Sequence, residues 1–225
     1  LVNERWYLSD TESNTAAHRL AKATHILLPE SWQGKLKPTQ TYPGILPQAY
    51  VPQNCEAWSS ARGQVQIQLG IPGEDLVVFH RKITGDGVHD GNEVVNYQPA
   101  ISKMHVHFVE NKESAAAMDG SAWEFPVQAT LFDGVITGST TLAAEAVVQG
   151  VPTLLISKAE RGFLTYLSDQ SHFFHWKEDD VFDGRFGKMA NAWMESMRSA
   201  RLNGRTPVVD DTKMRLIELF GKPIA

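Results

Sequence analysis

Residues 133–156 read DGVITGSTTLAAEAVVQGVPTLLI, a short apolar run, a Gly-Ser-Thr-Thr turn, a helical run, a Gly-x-Pro turn and a second apolar run. Strand, helix and strand in that order, with two short turns, predict two parallel strands joined by a crossover helix. Gly138 lets the backbone turn tightly, and the N–H groups at the helix start face outward with the positive end of the helix dipole. Such a turn is an anion seat, to which Ser139, Thr140 and Thr141 add hydroxyl donors. In an open parallel sheet the crevice beyond the carboxyl ends of the strands is where ligands sit, and this turn lies there. Glu145 falls four residues after Thr141, too deep for a capping box, and its carboxylate can accept hydrogen bonds from a ribose diol. The alternative is that the Ser-Thr-Thr run merely caps the helix and Glu145 lies on a solvated face.

Outward from this stretch the same alternation continues. A helix is expected to end near Gly70, with strands over 76–79, 105–109, 134–136 and 153–156 and helices over 140–149 and from Gly162 to Leu167. Phe173, Phe174 and Trp176 read as a buried strand leading into the acidic loop Glu178 to Asp180, and two helices, 186–200 and 210–220, close the chain. The expected class is α/β, a Rossmann-like parallel sheet with helices on both faces. Towards the N-terminus, a strand over 6–8, a helix over 15–22 and a strand over 25–28 precede a segment holding Pro38, Pro43, Gly44, Pro47 and Pro52. That density reads as an irregular connection and a domain boundary.

The chain has 225 residues, 42% hydrophobic and 21% charged, enough apolar surface for a sizeable core and too ordinary for disorder, collagen or coiled coil. No apolar run approaches the roughly 18 to 20 residues of a membrane-spanning helix, and no signal-peptide pattern opens the chain. The net charge of −5 and the lack of a Lys/Arg block argue against nucleic acid as a partner. Cys55 is the single cysteine, which fits a reducing, cytoplasmic location. Because the chain begins at Leu1, a fragment or processed form is expected.

Two polar groupings stand apart from the turn. His80 and Arg81 are expected at a strand end before a glycine-rich loop, Gly85 to Gly91, with Asp86, His89 and Asp90; Arg81 can give a diphosphate a bidentate partner. The competing reading is a surface loop with solvated charges. His105 and His107 share a strand face, and with Glu110, His89 or Asp90 a zinc site can be drawn, but no HExxH pair exists, His172 and His175 point to opposite faces, and no metal is expected. Gly-x-Ser-x-Gly, Gly-Lys-Ser/Thr and GxGxxG are all missing, which argues against a serine hydrolase, a nucleoside triphosphatase and a dinucleotide oxidoreductase.

Gly138, Ser139, Thr140, Thr141, Glu145, Gly150 and Pro152 resemble the nucleotide-sugar segment of GT-B-type glycosyltransferases and of the related UDP-N-acetylglucosamine 2-epimerases. A wider likeness, to an uncharacterised glycosyltransferase-like family beside the epimerases, adds Asp10 and Glu12, Pro29 and Glu30, Tyr42, Gly44 and Tyr50, Arg81, His89 and Asp90, and Glu110. The chain departs from that family where Gly91 follows Asp90 directly and where Ile83, Thr84 and Gly85 replace an aromatic.

The resemblance implies the C-terminal half of a GT-B-like fold. Residues 1–34 would be a remnant of the N-terminal domain, 35–56 a linker, 57–205 the nucleotide-sugar-binding domain and 206–225 a C-terminal helix. It implies Gly138, Ser139, Thr140 and Thr141 on the diphosphate, Glu145 on the ribose, and Arg81, His89 and Glu110 as catalytic groups. The nucleotide sugar enters as substrate, with no cofactor and no metal, towards an unknown acceptor; a homodimer stays open. A 2-epimerase using Glu110 as acid or base is one alternative, and a non-catalytic binding module of the same fold is another.

Overall fold

The computed structural model describes residues 4–12, 22–52, 58–83, 95–101, 104–113 and 125–220. The chain forms two compact units: Leu1–Tyr50 with Glu160–Asp169 and Val209–Ala225, and Val51–Ala159 with Gln170–Val208.

The first unit is built on three parallel strands in the order β1 (Trp6–Leu8), β2 (His25–Pro29) and β3 (Gln40–Tyr42). Leu27 and Leu28 are fully buried, as is Tyr42. The helix expected over 15–22 lies outside the described residues, except for Lys22. Within the proline-rich segment, expected to be an irregular connection, the described residues form a strand and a short helix. Pro38 and Pro43 bracket β3 without entering it, so no ladder donor is lost, and the Thr39 N–H reaches the Ile26 carbonyl at 2.8 Å. Pro47 then opens the short helix Pro47–Tyr50, where the missing N–H costs nothing.

Two helices from far along the chain also belong to this unit, so the expected block 57–205 is interrupted. Helix Gly162–Ser168 is tied through the Gly162 N–H to Glu12 Oε1 at 2.8 Å. Helix Thr212–Phe220 is tied through the Thr212 hydroxyl, which donates to the Pro43 carbonyl at 2.6 Å.

The second unit carries a five-stranded sheet in the order β5-β4-β6-β7-β8, every pair parallel. The strands are β4 (Val77–Ile83), β5 (His107–Glu113), β6 (Gly134–Thr137), β7 (Thr153–Ile156) and β8 (Phe173–Trp176). Alternation along β4 and β6 splits the core. Val77, Phe79 and Val135 pack with Leu142 and Ala146 of helix Thr140–Val148 on one face. Val78 and Ile136 pack with Phe186, Ala190, Trp193 and Met197 of helix Gly184–Asn203 on the other. The sheet is therefore covered on both faces, which is the architecture the sequence predicts.

Two strands run further than their apolar cores. β4 continues to Ile83, so His80 and Arg81 lie inside it and not at its end, and β5 begins at His107, which leaves His105 outside it and Glu110 in its middle. The amino end of the sheet is pinned by Asp133, which is fully buried. Its carboxylate accepts from Arg62 Nε at 2.6 Å, from Arg201 Nε and Nη2 at 2.6 Å each, and from the Val77 N–H at 2.7 Å.

Candidate functional site

The site is built where β4, β5 and β6 deliver polar residues at their carboxyl ends. All four residues of β6 are buried, and its last, Thr137, passes into the Gly138 turn. Ser139 is extended (φ −81°, ψ 117°) and is the N-cap of helix Thr140–Val148; its Oγ accepts from the Leu142 N–H at 3.4 Å. The capping reading of Ser139 is thus correct. Thr140 is half-buried and Thr141 exposed, both in the first turn at the positive end of the helix.

Glu145 does not lie on a solvated face: it is 9% exposed, in a helix buried from Leu142 to Val148. Gly138 is present for proximity. A Cβ there would come within 2.7 Å of Ile83 Cδ1, and the tight turn is made without a left-handed backbone angle. The far end of the same helix does need one. Gly150 has φ +75°, and its N–H and that of Val151 return to the carbonyls of Val147 and Ala146 at 2.8 and 3.0 Å, a Schellman closure.

Register aligns Arg81 with Thr137 on one side and Asn111 on the other. Arg81 is buried, 1% exposed, and its Nη1 donates to Asn111 Oδ1. A guanidinium is thereby held at the level of the turn, on the face that carries helix Thr140–Val148. Glu110 pairs in register with His80, one residue away from Arg81, and strand alternation puts it on the opposite face. Arg81 and Glu110, expected together as catalytic groups, do not share one surface of the sheet.

Glu110 instead belongs to a second polar group. Its Oε1 lies 2.7 Å from Lys82 Nζ and 3.5 Å from His80 Nδ1, while His80 Nε2 lies 3.1 Å from the Tyr97 hydroxyl. Burial, helped by the Lys82 charge and opposed by Glu110, pushes His80 down to about 4, so its imidazole is neutral at pH 7. Burial and the Glu110 charge push the Tyr97 phenol up, which keeps its proton in place.

His89, with Asp86 and Asp90, lies outside the described residues. The drawn zinc set does not assemble from the others. His107 Nε2 sits 2.8 Å from Asp75 Oδ2 at the amino end of β5, and His107 and Glu110, three apart on one strand, face opposite ways. Among the described residues no group of three or more His, Cys, Asp and Glu is arranged to hold a metal, and no helix is long and apolar enough to cross a membrane.

The N-terminal motif residues fall in the first unit. Asp10 and Glu12 follow β1, Pro29 ends β2 and Tyr42 ends β3. Glu12 Oε1 accepts from the N–H groups of Gly162 and Gln33 at 2.8 and 3.3 Å, which makes it a brace of that unit. Burial raises the Asp10 carboxyl above its ordinary range.

Sequence reasoning missed Thr137, Asn111, Lys82 and Tyr97. Asn111 and Thr137 become visible only once β5 and β6 are set in parallel register beside Arg81.

No family model and no curated protein matches the chain. Among solved structures it is similar to the wall teichoic acid polymerase TagF, at 12% identity and a TM-score of 0.43, over 96% of this chain and 56% of that one. It is also similar to a glycotransferase of kitacinnamycin, at 12% identity and a TM-score of 0.38, over 91% of this chain and 56% of that one. The chain spans a little over half the length of the solved structures it resembles.

Proposed function

We propose that the second unit binds a nucleotide sugar by its diphosphate and takes part in glycosyl transfer. The observation that carries this reading is the register of β4 on β6, which sets the buried guanidinium of Arg81 beside Thr137, directly before the Gly138 turn and the amino end of a nine-residue helix. Fixed cation, outward amides and threonine hydroxyls at one sheet end suit a group whose charge grows as the sugar departs. In this reading Gly138, Ser139, Thr140 and Thr141 hold the diphosphate and Glu145, a carboxylate kept out of bulk water, holds the ribose hydroxyls. Arg81 offsets leaving-group charge, with His89 as the second candidate for that task. Glu110, anchored by Lys82, is the group to act as acid or base on the sugar if the reaction is a 2-epimerisation. In this reading Arg81 and the turn offset the charge of the leaving nucleoside diphosphate in place of a metal, no cofactor is called for, and the acceptor is a separate partner.

The test is a thermal-shift panel of UDP, other nucleoside diphosphates, UDP-N-acetylglucosamine and phosphate on the natural protein and on Glu145→Ala. A ligand at about 100 times its Kd adds about 2.7 kcal/mol, a rise of roughly 5 to 10 °C for a chain this size. A rise with one nucleotide sugar that vanishes in the variant is expected. No rise with any nucleotide, in folded protein, overturns the reading.

A further inference from the structure

Resting on the donor reading above, we propose that Thr137 is a positioning residue that fixes the Gly138 turn to strand β4 and so sets the geometry in which a phosphoryl group is held. Thr137 is fully buried. Its hydroxyl donates to the Arg81 carbonyl at 3.1 Å and accepts from the Ser139 N–H at 3.0 Å. One oxygen thus joins the residue that bears the guanidinium to the residue that caps the helix.

The same accounting shows what the turn has left to offer. The Ser139 N–H goes to Thr137, the Leu142 N–H to Ser139 Oγ, and the Ala143 N–H to the Ser139 carbonyl at 3.0 Å. The amides of Thr140 and Thr141 are the ones that helix geometry turns outward without an intrahelical acceptor. Two successive N–H groups beside two threonine side chains suit the oxygens of a phosphoryl group of the diphosphate, and their aim depends on the brace behind them.

Thr137→Val keeps the branched shape that suits a buried strand and removes only the hydroxyl. It leaves the Ser139 N–H without its acceptor, so the turn is no longer held at one angle. Thr137→Ser restores the oxygen. Binding of UDP and of inorganic pyrophosphate, measured by calorimetry well below the Tm of every variant, is expected to weaken about tenfold in Thr137→Val and to stay within about twofold of the natural protein in Thr137→Ser. Pyrophosphate and UDP lose affinity alike, because the change acts on the phosphoryl contact. A purely structural role would lower Tm and leave both Kd values unchanged.

If the natural protein binds both probes and Thr137→Val binds them equally well, the positioning role is overturned while the donor reading stands. If the natural protein binds neither, the donor reading falls and this inference with it. Should Thr137→Val fail to fold, Thr137→Ala, which relieves any crowding while still lacking the oxygen, decides between the same outcomes.

Discussion

Gly138 and Gly150 bound the same helix and are held to glycine by different forces. At Gly138 a methyl group would press on the terminal carbons of Ile83, a flexible side chain that can move aside. At Gly150 it would meet the Thr206 backbone at 2.7 to 3.0 Å from a residue already at φ +75°. A left-handed angle alone costs a non-glycine residue roughly 1 to 2 kcal/mol. Gly150→Ala is therefore expected to lose more stability in urea unfolding than Gly138→Ala, by at least about 1 kcal/mol. The residue scale also holds what the sequence conceals best. Asp133 opens the stretch that names the fold, yet its partners Arg62 and Arg201 lie 71 and 68 residues away, a separation no local pattern records. Asp133→Ala takes the shared carboxylate from the partly buried Arg62 and Arg201, which keep backbone carbonyls of residues 73–75, and takes its acceptor from the Val77 N–H; a loss of about 3 kcal/mol is expected in the same measurement.

Among the elements, β4 connects the two polar groups of the sheet, and its buried His80 makes stability depend on pH. His80 binds its proton near 6.5 when unfolded and near 4 when folded. Between those values the unfolded state holds more protons, so its contribution is complete at neutral pH, declines as pH falls below 6.5 and is gone below 4. The full loss is roughly 3 kcal/mol. His172, pushed down by burial, acts in the same direction. Urea midpoints of the natural protein and of His80→Gln at pH 7 and pH 4.5 test this: the drop between the two is expected to be smaller in the variant by roughly 2 kcal/mol. The strands themselves were legible wherever an apolar run met a glycine or proline boundary, as at 134–136 and 153–156. Their carboxyl ends were not. Arg81 and Lys82 on β4, and Asn111 on β5, extend the ladder with polar side chains that carry no period-2 apolar signal. β3 was missed because Gln40, Thr41 and Tyr42 form too short a run between two prolines.

At the scale of the whole molecule the first unit gathers three separate stretches of chain, and that is why its extent was not legible from sequence order. Its sheet has three strands of three to five residues, too little to stand without packed helices. Helix Thr212–Phe220 supplies part of that support. Thr212 is fully buried and its hydroxyl holds the Pro43 carbonyl, while Phe220 meets Trp6 edge to face at 5.2 Å. The five-stranded sheet belongs to the unit that ends at Val208, whose own N–H bonds the Val148 carbonyl at 3.0 Å. Truncation after Val208 is therefore expected to weaken the first unit selectively. In amide hydrogen exchange, Leu27 and Leu28 of β2 should lose protection by about a hundredfold or more, while Ile136 of β6 and Leu154 of β7 keep theirs, because exchange reports the free energy of each cooperative unit separately. Equal loss at Leu27 and Ile136 would mean that the two units unfold together, and a ligand bound at the Gly138 turn would then stabilise β1 to β3 as much as the sheet it touches.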